Sequence, residues 1–168
     1  MAGEQPAPAS IDASPFRFAI VVSRFNAFVT DPLRDGAIAV LREAGALENN
    51  VQVFAVPGAF EVAQAARVAA ETGRFDAVVC LGCVIRGETP HFDYIASAAA
   101  RGIMEAAGET GVPMAFGVLT TNTVEQATAR AGQGPDNKGR EAAAAAIEMA
   151  ALYKSLSGTT SRPFGFRA

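Results

Sequence analysis

The chain has 168 residues, 50% hydrophobic and 18% charged, a composition that suits one globular domain with a sizeable core and excludes intrinsic disorder. A formal net charge of -3 and a pI near 5.2, with no run of Lys or Arg, imply neither nucleic acid nor an anionic lipid surface as a partner. No charged segment followed by an apolar one opens the chain and no apolar run is long enough to span a bilayer, so the expected compartment is the cytoplasm.

Residues 1–15, rich in Ala, Pro and Ser, lack periodicity and read as a tail, ordered only if a neighbouring subunit captures it. A first strand is expected over 16–23, where Phe18-Ala19-Ile20-Val21-Val22 calls for burial on both faces, and it ends in Arg24-Phe25-Asn26. A helix over 31–44 is closed by Gly45, a second strand covers 51–56, and Pro57-Gly58 turns the chain into a helix ending near Gly73. A buried third strand over 75–81 leads through Leu81-Gly82-Cys83-Val84-Ile85-Arg86-Gly87-Glu88-Thr89-Pro90-His91 into a helix over 91–107. Thr89 reads as its N-cap and Pro90 as its first residue, which places His91, the one histidine of the chain, in the first turn. A fourth strand follows over 114–119, then a helix opened by Thr123 and reaching about 131. The Gln133-Gly134-Pro135-Asp136 bend breaks the pattern, and Asn137 caps an alanine-rich helix to about 155. Residues 158–168 read as a polar tail, leaving 16–157 as a single domain.

Strands alternating with helices mean βαβ units, hence an α/β fold: a three-layer α/β/α sandwich with a flavodoxin-like four-stranded parallel sheet flanked by helices. Such sheets bind ligands at the carboxyl ends of their strands, and Phe25-Asn26, Pro57 to Glu61 and Val84 to His91 converge on that edge. Phe25 is either a platform for a planar heterocycle or a core side chain. Glu61 either accepts hydrogen bonds from sugar or polyol hydroxyls or favours its helix dipole. His91 at a strand-to-helix junction suits proton transfer, and the free N–H groups of that turn, with the Thr89 hydroxyl, suit a phosphate. Cys80 and Cys83 have redox-motif spacing, but their odd separation at the end of a strand sends the sulfurs to opposite faces, so both read as buried core residues. One histidine and one cysteine pair leave no expected metal site.

Four motifs in order, Arg24-Phe25-Asn26, Val56-Pro57-Gly58-Ala59-Phe60-Glu61, Gly87-Glu88-Thr89-Pro90-His91-Phe92-Asp93-Tyr94 and Phe116-Gly117-Val118-Leu119-Thr120-Thr121-Asn122-Thr123, followed by Arg130-Ala131-Gly132 and Asn137-Lys138-Gly139, resemble the lumazine synthases. The resemblance covers about 16–156. It implies a cofactor-free transferase of riboflavin synthesis that joins 5-amino-6-(D-ribitylamino)uracil to 3,4-dihydroxy-2-butanone 4-phosphate. By matching position, Phe25 stacks on the uracil, Ala59, Phe60 and Glu61 hold the ring and ribityl chain, and Cys83, Val84 and Ile85 contact the pyrimidine by backbone. Glu88, through its backbone, and Thr89 bind the four-carbon phosphate, His91 transfers protons, Arg130 pairs with the phosphate and Lys138 assists. Phe116 completes the pyrimidine pocket, and the resemblance implies that Phe116, Arg130 and Lys138 come from the adjacent subunit. It further implies a homopentamer, in some members an icosahedral 60-mer, and an association with riboflavin synthase. The bend at 133–136 departs from the turn of many shell-forming members.

Two other readings compete. A non-catalytic lumazine- or flavin-binding protein or shell scaffold needs the stacking surface but neither His91 nor Arg130. A phosphorylation-dependent receiver domain needs acidic residues around strand one and a phosphoacceptor aspartate after strand three, where this chain has Ser23-Arg24 and Cys83-Val84.

Overall fold

The computed structural model of the chain describes residues 10–158. Strands β1 (Phe18–Ser23), β2 (Val51–Val56), β3 (Ala77–Ile85) and β4 (Met114–Thr121) form one sheet in the order β2-β1-β3-β4, and every neighbouring pair is parallel. They are joined and followed by α1 (Ala27–Glu43), α2 (Ala59–Glu71), α3 (His91–Thr110), α4 (Val124–Ala129) and α5 (Lys138–Ser157). This is the flavodoxin-like sandwich that strand-helix alternation requires.

β1 and β3 are the inner strands; all of β1 and all but the last residue of β3 are buried, which is why both read as continuous apolar runs. Alternation sends Phe18, Ile20, Val22, Val79 and Leu81 to the face covered by α1 and α5, and Ala19, Val21, Val78 and Val84 to the face covered by α2 and α3. Cys83 falls on the first face and Cys80 on the second, and both are free thiols. Their burial pushes the Cys80 thiol up to about 12 and the Cys83 thiol up to about 11.

The last helix is held by Asn137, which is buried and uses its whole amide. Its Oδ1 accepts from the N–H groups of Gly139 (2.8 Å) and Arg140 (3.2 Å), capping α5, while its Nδ2 donates to the carbonyls of Pro32, Ala131 and Gly132, each at 3.1 Å. Gly139 follows because a Cβ there would run into the backbone carbonyl of Leu33 on α1.

Several element ends differ from the sequence reading. α1 starts at Ala27 rather than at 31, because Asn26 takes the left-handed conformation (φ 59°, ψ 46°) and its carbonyl accepts from the N–H groups of Val29 and Thr30. β3 does not stop at 81 and β4 does not stop at 119; each runs on while the other pairs with it, through Ile85 opposite Thr121. Both α2, which ends at Glu71, and α4, which ends at Ala129, are shorter than read. Thr89 is not the N-cap of α3: that position is Pro90, which has no side-chain donor or acceptor to offer, and His91 is the first helical residue. Nor are residues 10–15 a tail awaiting another subunit. The Ala13 N–H donates to the Ala44 carbonyl at 2.7 Å, Ala13 is buried, and Ile11 packs against the same core. The remaining expected tail residues, 1–9 and 159–168, lie outside the described residues.

Candidate active site

At the carboxyl end of the sheet, three segments enclose a pocket of about 520 Å³. The end of β1 contributes Phe25 and Asn26; the turn into α2 contributes Gly58, Ala59, Phe60 and Glu61; the end of β3 and the start of α3 contribute Cys83 to Ile85, Gly87, Thr89, His91, Phe92 and Ile95. Its place follows from the topology. The chain leaves β1 for β2 on one side and returns to β3 on the other, so the loops after β1 and β3 diverge and leave a crevice above them.

Local hydrogen bonds set the walls. The Ser23 hydroxyl donates to the Phe25 carbonyl at 3.0 Å, the Thr30 hydroxyl donates to the Ser23 carbonyl at 2.6 Å, and the Asn26 amide donates to the Cys83 carbonyl at 3.0 Å. The chain therefore turns sharply after β1 and leaves Phe25 with 69% of its surface exposed. An aromatic side chain so exposed is not a core residue, which decides the two readings of Phe25 against core packing. Phe60, on the first turn of α2, is exposed as well, at 49%. Beside it the Glu61 carboxylate folds back over its own N-cap, Gly58, where a Cβ would lie 3.1 Å from Oε2.

The opposite wall is polar. Thr89 and His91 are both exposed, and neither side chain makes a hydrogen bond among the described residues, so the hydroxyl and the imidazole are free for a ligand. The first N–H groups of α3 are left without a side-chain cap, the arrangement that receives an anionic oxygen. Together the pocket offers an aromatic surface, a carboxylate, a hydroxyl near the uncapped start of a helix, and an imidazole. Among the described residues no group of three or more His, Cys, Asp or Glu side chains could hold a metal ion, and no helix is long and apolar enough to cross a membrane.

Nine of the expected site residues thus come together in one chain: Phe25, Ala59, Phe60, Glu61, Cys83, Val84, Ile85, Thr89 and His91. Four do not line the pocket. Glu88 lies on the loop between Gly87 and Thr89 and is exposed. Phe116 sits on β4, an edge strand, 48% exposed. Arg130 is the C-cap just after α4 and donates to the Gln126 carbonyl, and Lys138 opens α5 in an ion pair with Glu141. The sequence reading placed Asn26 at this edge without giving it a role, and it missed Phe92 and Ile95 as pocket residues. Helical spacing from His91 signals Ile95, but the path of Asn26 depends on a left-handed backbone that composition does not reveal.

Residues 15–154 match the family model described as 6,7-dimethyl-8-ribityllumazine synthase. Among curated proteins, the 6,7-dimethyl-8-ribityllumazine synthase of Salinibacter ruber is 56% identical over 142 residues, covering 84% of this chain and 91% of that protein. The protein of the same name from Chlorobium luteolum is 50% identical over 147 residues, 88% of this chain and 95% of the relative. That from Chlorobium phaeovibrioides is 54% identical over 140 residues, with 83% and 90% covered.

Proposed function

Since the chain belongs to the 6,7-dimethyl-8-ribityllumazine synthase family, we propose that its pocket condenses 5-amino-6-(D-ribitylamino)uracil with 3,4-dihydroxy-2-butanone 4-phosphate, a transferase step of riboflavin synthesis. The observation that carries this reading is the meeting of Phe25, Glu61, Thr89 and His91 around one pocket. Two substrates of unlike chemistry need two unlike walls, and these residues provide them.

The planar pyrimidine stacks on Phe25, its edge meets the backbone from Cys83 to Ile85, and its ribityl hydroxyls donate to Glu61. The phosphate of the second substrate sits at the uncapped start of α3 with the Thr89 hydroxyl, its contact with Glu88 being through the backbone. The amine then attacks the ketone carbonyl, water leaves to give the imine, phosphate is eliminated, and the resulting enol tautomerises before the second amine closes the ring with loss of water. Each step moves a proton within reach of His91, which acts as acid and base in turn. Holding the two reactants together supplies the larger part of the acceleration, because it replaces a bimolecular encounter by an oriented one.

Phe116, Arg130 and Lys138 stand away from their own chain's pocket, and we assign them to the pocket of an adjacent subunit in a ring, with Arg130 as the phosphate's charged partner. The smallest assembly in this reading is a homopentamer. Formation of the lumazine, followed by absorbance with both substrates and a no-enzyme control, tests the activity. A rate equal to the control would reject it.

A further inference from the structure

The loop that presents Thr89 and His91 has no helix cap to hold it, and Arg86 occupies the position from which it can be held. The Arg86 N–H donates to the Thr121 carbonyl at the end of β4 (2.8 Å). Its guanidinium forks across the loop to Asp93 in the first turn of α3, with Nη2 3.0 Å from Oδ1 and Nη1 3.3 Å from Oδ2, while Nε donates to Oδ1 of Asn122 at 3.1 Å. The same group lies over the Phe92 ring, 4.3 Å from its centroid, and Phe92 is a wall of the pocket. One side chain therefore joins the end of β3, the end of β4 and the first turn of α3.

We propose that Arg86 is a positioning residue for the condensation described above: it fixes the 86–91 loop so that Thr89 and His91 meet the substrate phosphate and the reacting carbon. The inference rests on that reading of the pocket. An exposed ion pair alone holds little, and Arg86 is exposed. Here the planar guanidinium uses its fork on a carboxylate, its third N–H on an amide and its face on an aromatic ring, which fixes its orientation rather than only its distance. His91 is the residue just before Phe92 and Asp93, so rotation of the first turn of α3 on loss of these contacts moves the imidazole directly. Phe25, Phe60 and Glu61 are carried by β1 and α2 and do not share the contact.

Steady-state kinetics of Arg86→Ala against the unaltered protein, with each substrate varied in turn, tests this. Misplacement of a proton-transfer group by about 1 Å costs ~10²-fold, so kcat should fall by up to that factor. The KM for the pyrimidine should stay within about twofold, as expected for sites that share no partners. Asn122→Ala, which removes only the Nε contact at an exposed position, should lower kcat in the same direction by a smaller factor. Wild-type kcat in Arg86→Ala, or a pyrimidine KM that rises in step with the fall in kcat, overturns the proposal. If Arg86→Ala does not fold, wild-type kcat in Asn122→Ala overturns it instead. Absence of turnover in the unaltered protein rejects the reading of the pocket itself, which keeps the two failures apart.

Discussion

The Asn26 side-chain amide donates to the carbonyl of Cys83 at 3.0 Å, tying the end of β1 to the end of β3 across the floor of the pocket. Asn26 has the only positive φ outside glycine among the described residues, 59°, and asparagine is one of the few residue types that tolerate that conformation. The turn that exposes Phe25 and the bond that joins two pocket walls thus depend on one side chain.

Asn26→Ala should lower stability by about 2–3 kcal/mol, from the left-handed strain of about 1–2 kcal/mol and the lost hydrogen bond of about 1. Asn26→Gly removes the bond but relieves the strain, so it should cost less. Thermal unfolding of both variants, with pyrimidine binding measured alongside, separates the two contributions. Equal losses would show that backbone strain is not part of the effect.

His91→Ala should slow turnover without ending it. General acid and base help is worth ~10²–10⁴-fold, and the geometry that brings the substrates together survives the substitution. The variant should also bind the pyrimidine as before. A kcat equal to that of the unaltered protein would remove His91 from the mechanism.

Arg130→Ala should raise the KM for the butanone phosphate and leave that for the pyrimidine unchanged. If Arg130 serves a neighbour's pocket, mixing unfolded His91→Ala and Arg130→Ala chains and refolding them together should restore activity above either variant alone. Mixed rings then contain some pockets in which both residues are intact. No gain on mixing would place both residues in the pocket of one chain.

Gly139→Ala should be among the most damaging small substitutions. The new methyl would meet the Leu33 backbone rather than a movable side chain, and overpacking of this kind costs about 1–3 kcal/mol or more. A drop of several degrees in Tm is the expected reading. An unchanged Tm would mean that α1 and α5 can separate without loss.

Stability should fall in alkaline solution through the two thiols. Burial raises Cys80 to about 12 and Cys83 to about 11 from an ordinary value of 9.0. Above 9.0 the unfolded chain loses these protons while the folded chain keeps them, so unfolding is favoured increasingly from pH 9 to about 11 or 12. Below 9.0 both states hold the proton and the contribution is complete. Denaturant unfolding of Cys80→Ala against the parent over pH 8 to 10.5 checks the sign: the difference between them should narrow as the pH rises.

The order of strands and helices was legible because inner parallel strands must be apolar on both faces, and β1 and β3 say so residue by residue. The pocket segments were legible too, since a parallel sheet presents its carboxyl-end loops to a ligand whatever the ligand is. The burial of Cys80 and Cys83 on opposite faces followed from strand alternation alone. The ends of β3 and β4 could not be read in this way, because pairing continues only while a partner strand runs alongside, and that partner is distant in sequence. Thr89 has the composition of a cap, yet the chain reaches α3 through Pro90 and is fastened by Arg86 to Asp93 and Asn122. The left-handed turn at Asn26 is likewise tied to a distant partner, since its amide donates to the Cys83 carbonyl. Local propensity and periodicity therefore determined which elements form and in what order. Contacts between residues far apart along the chain decided where those elements end and how the pocket side chains are held, because only folding brings such partners within hydrogen-bond reach.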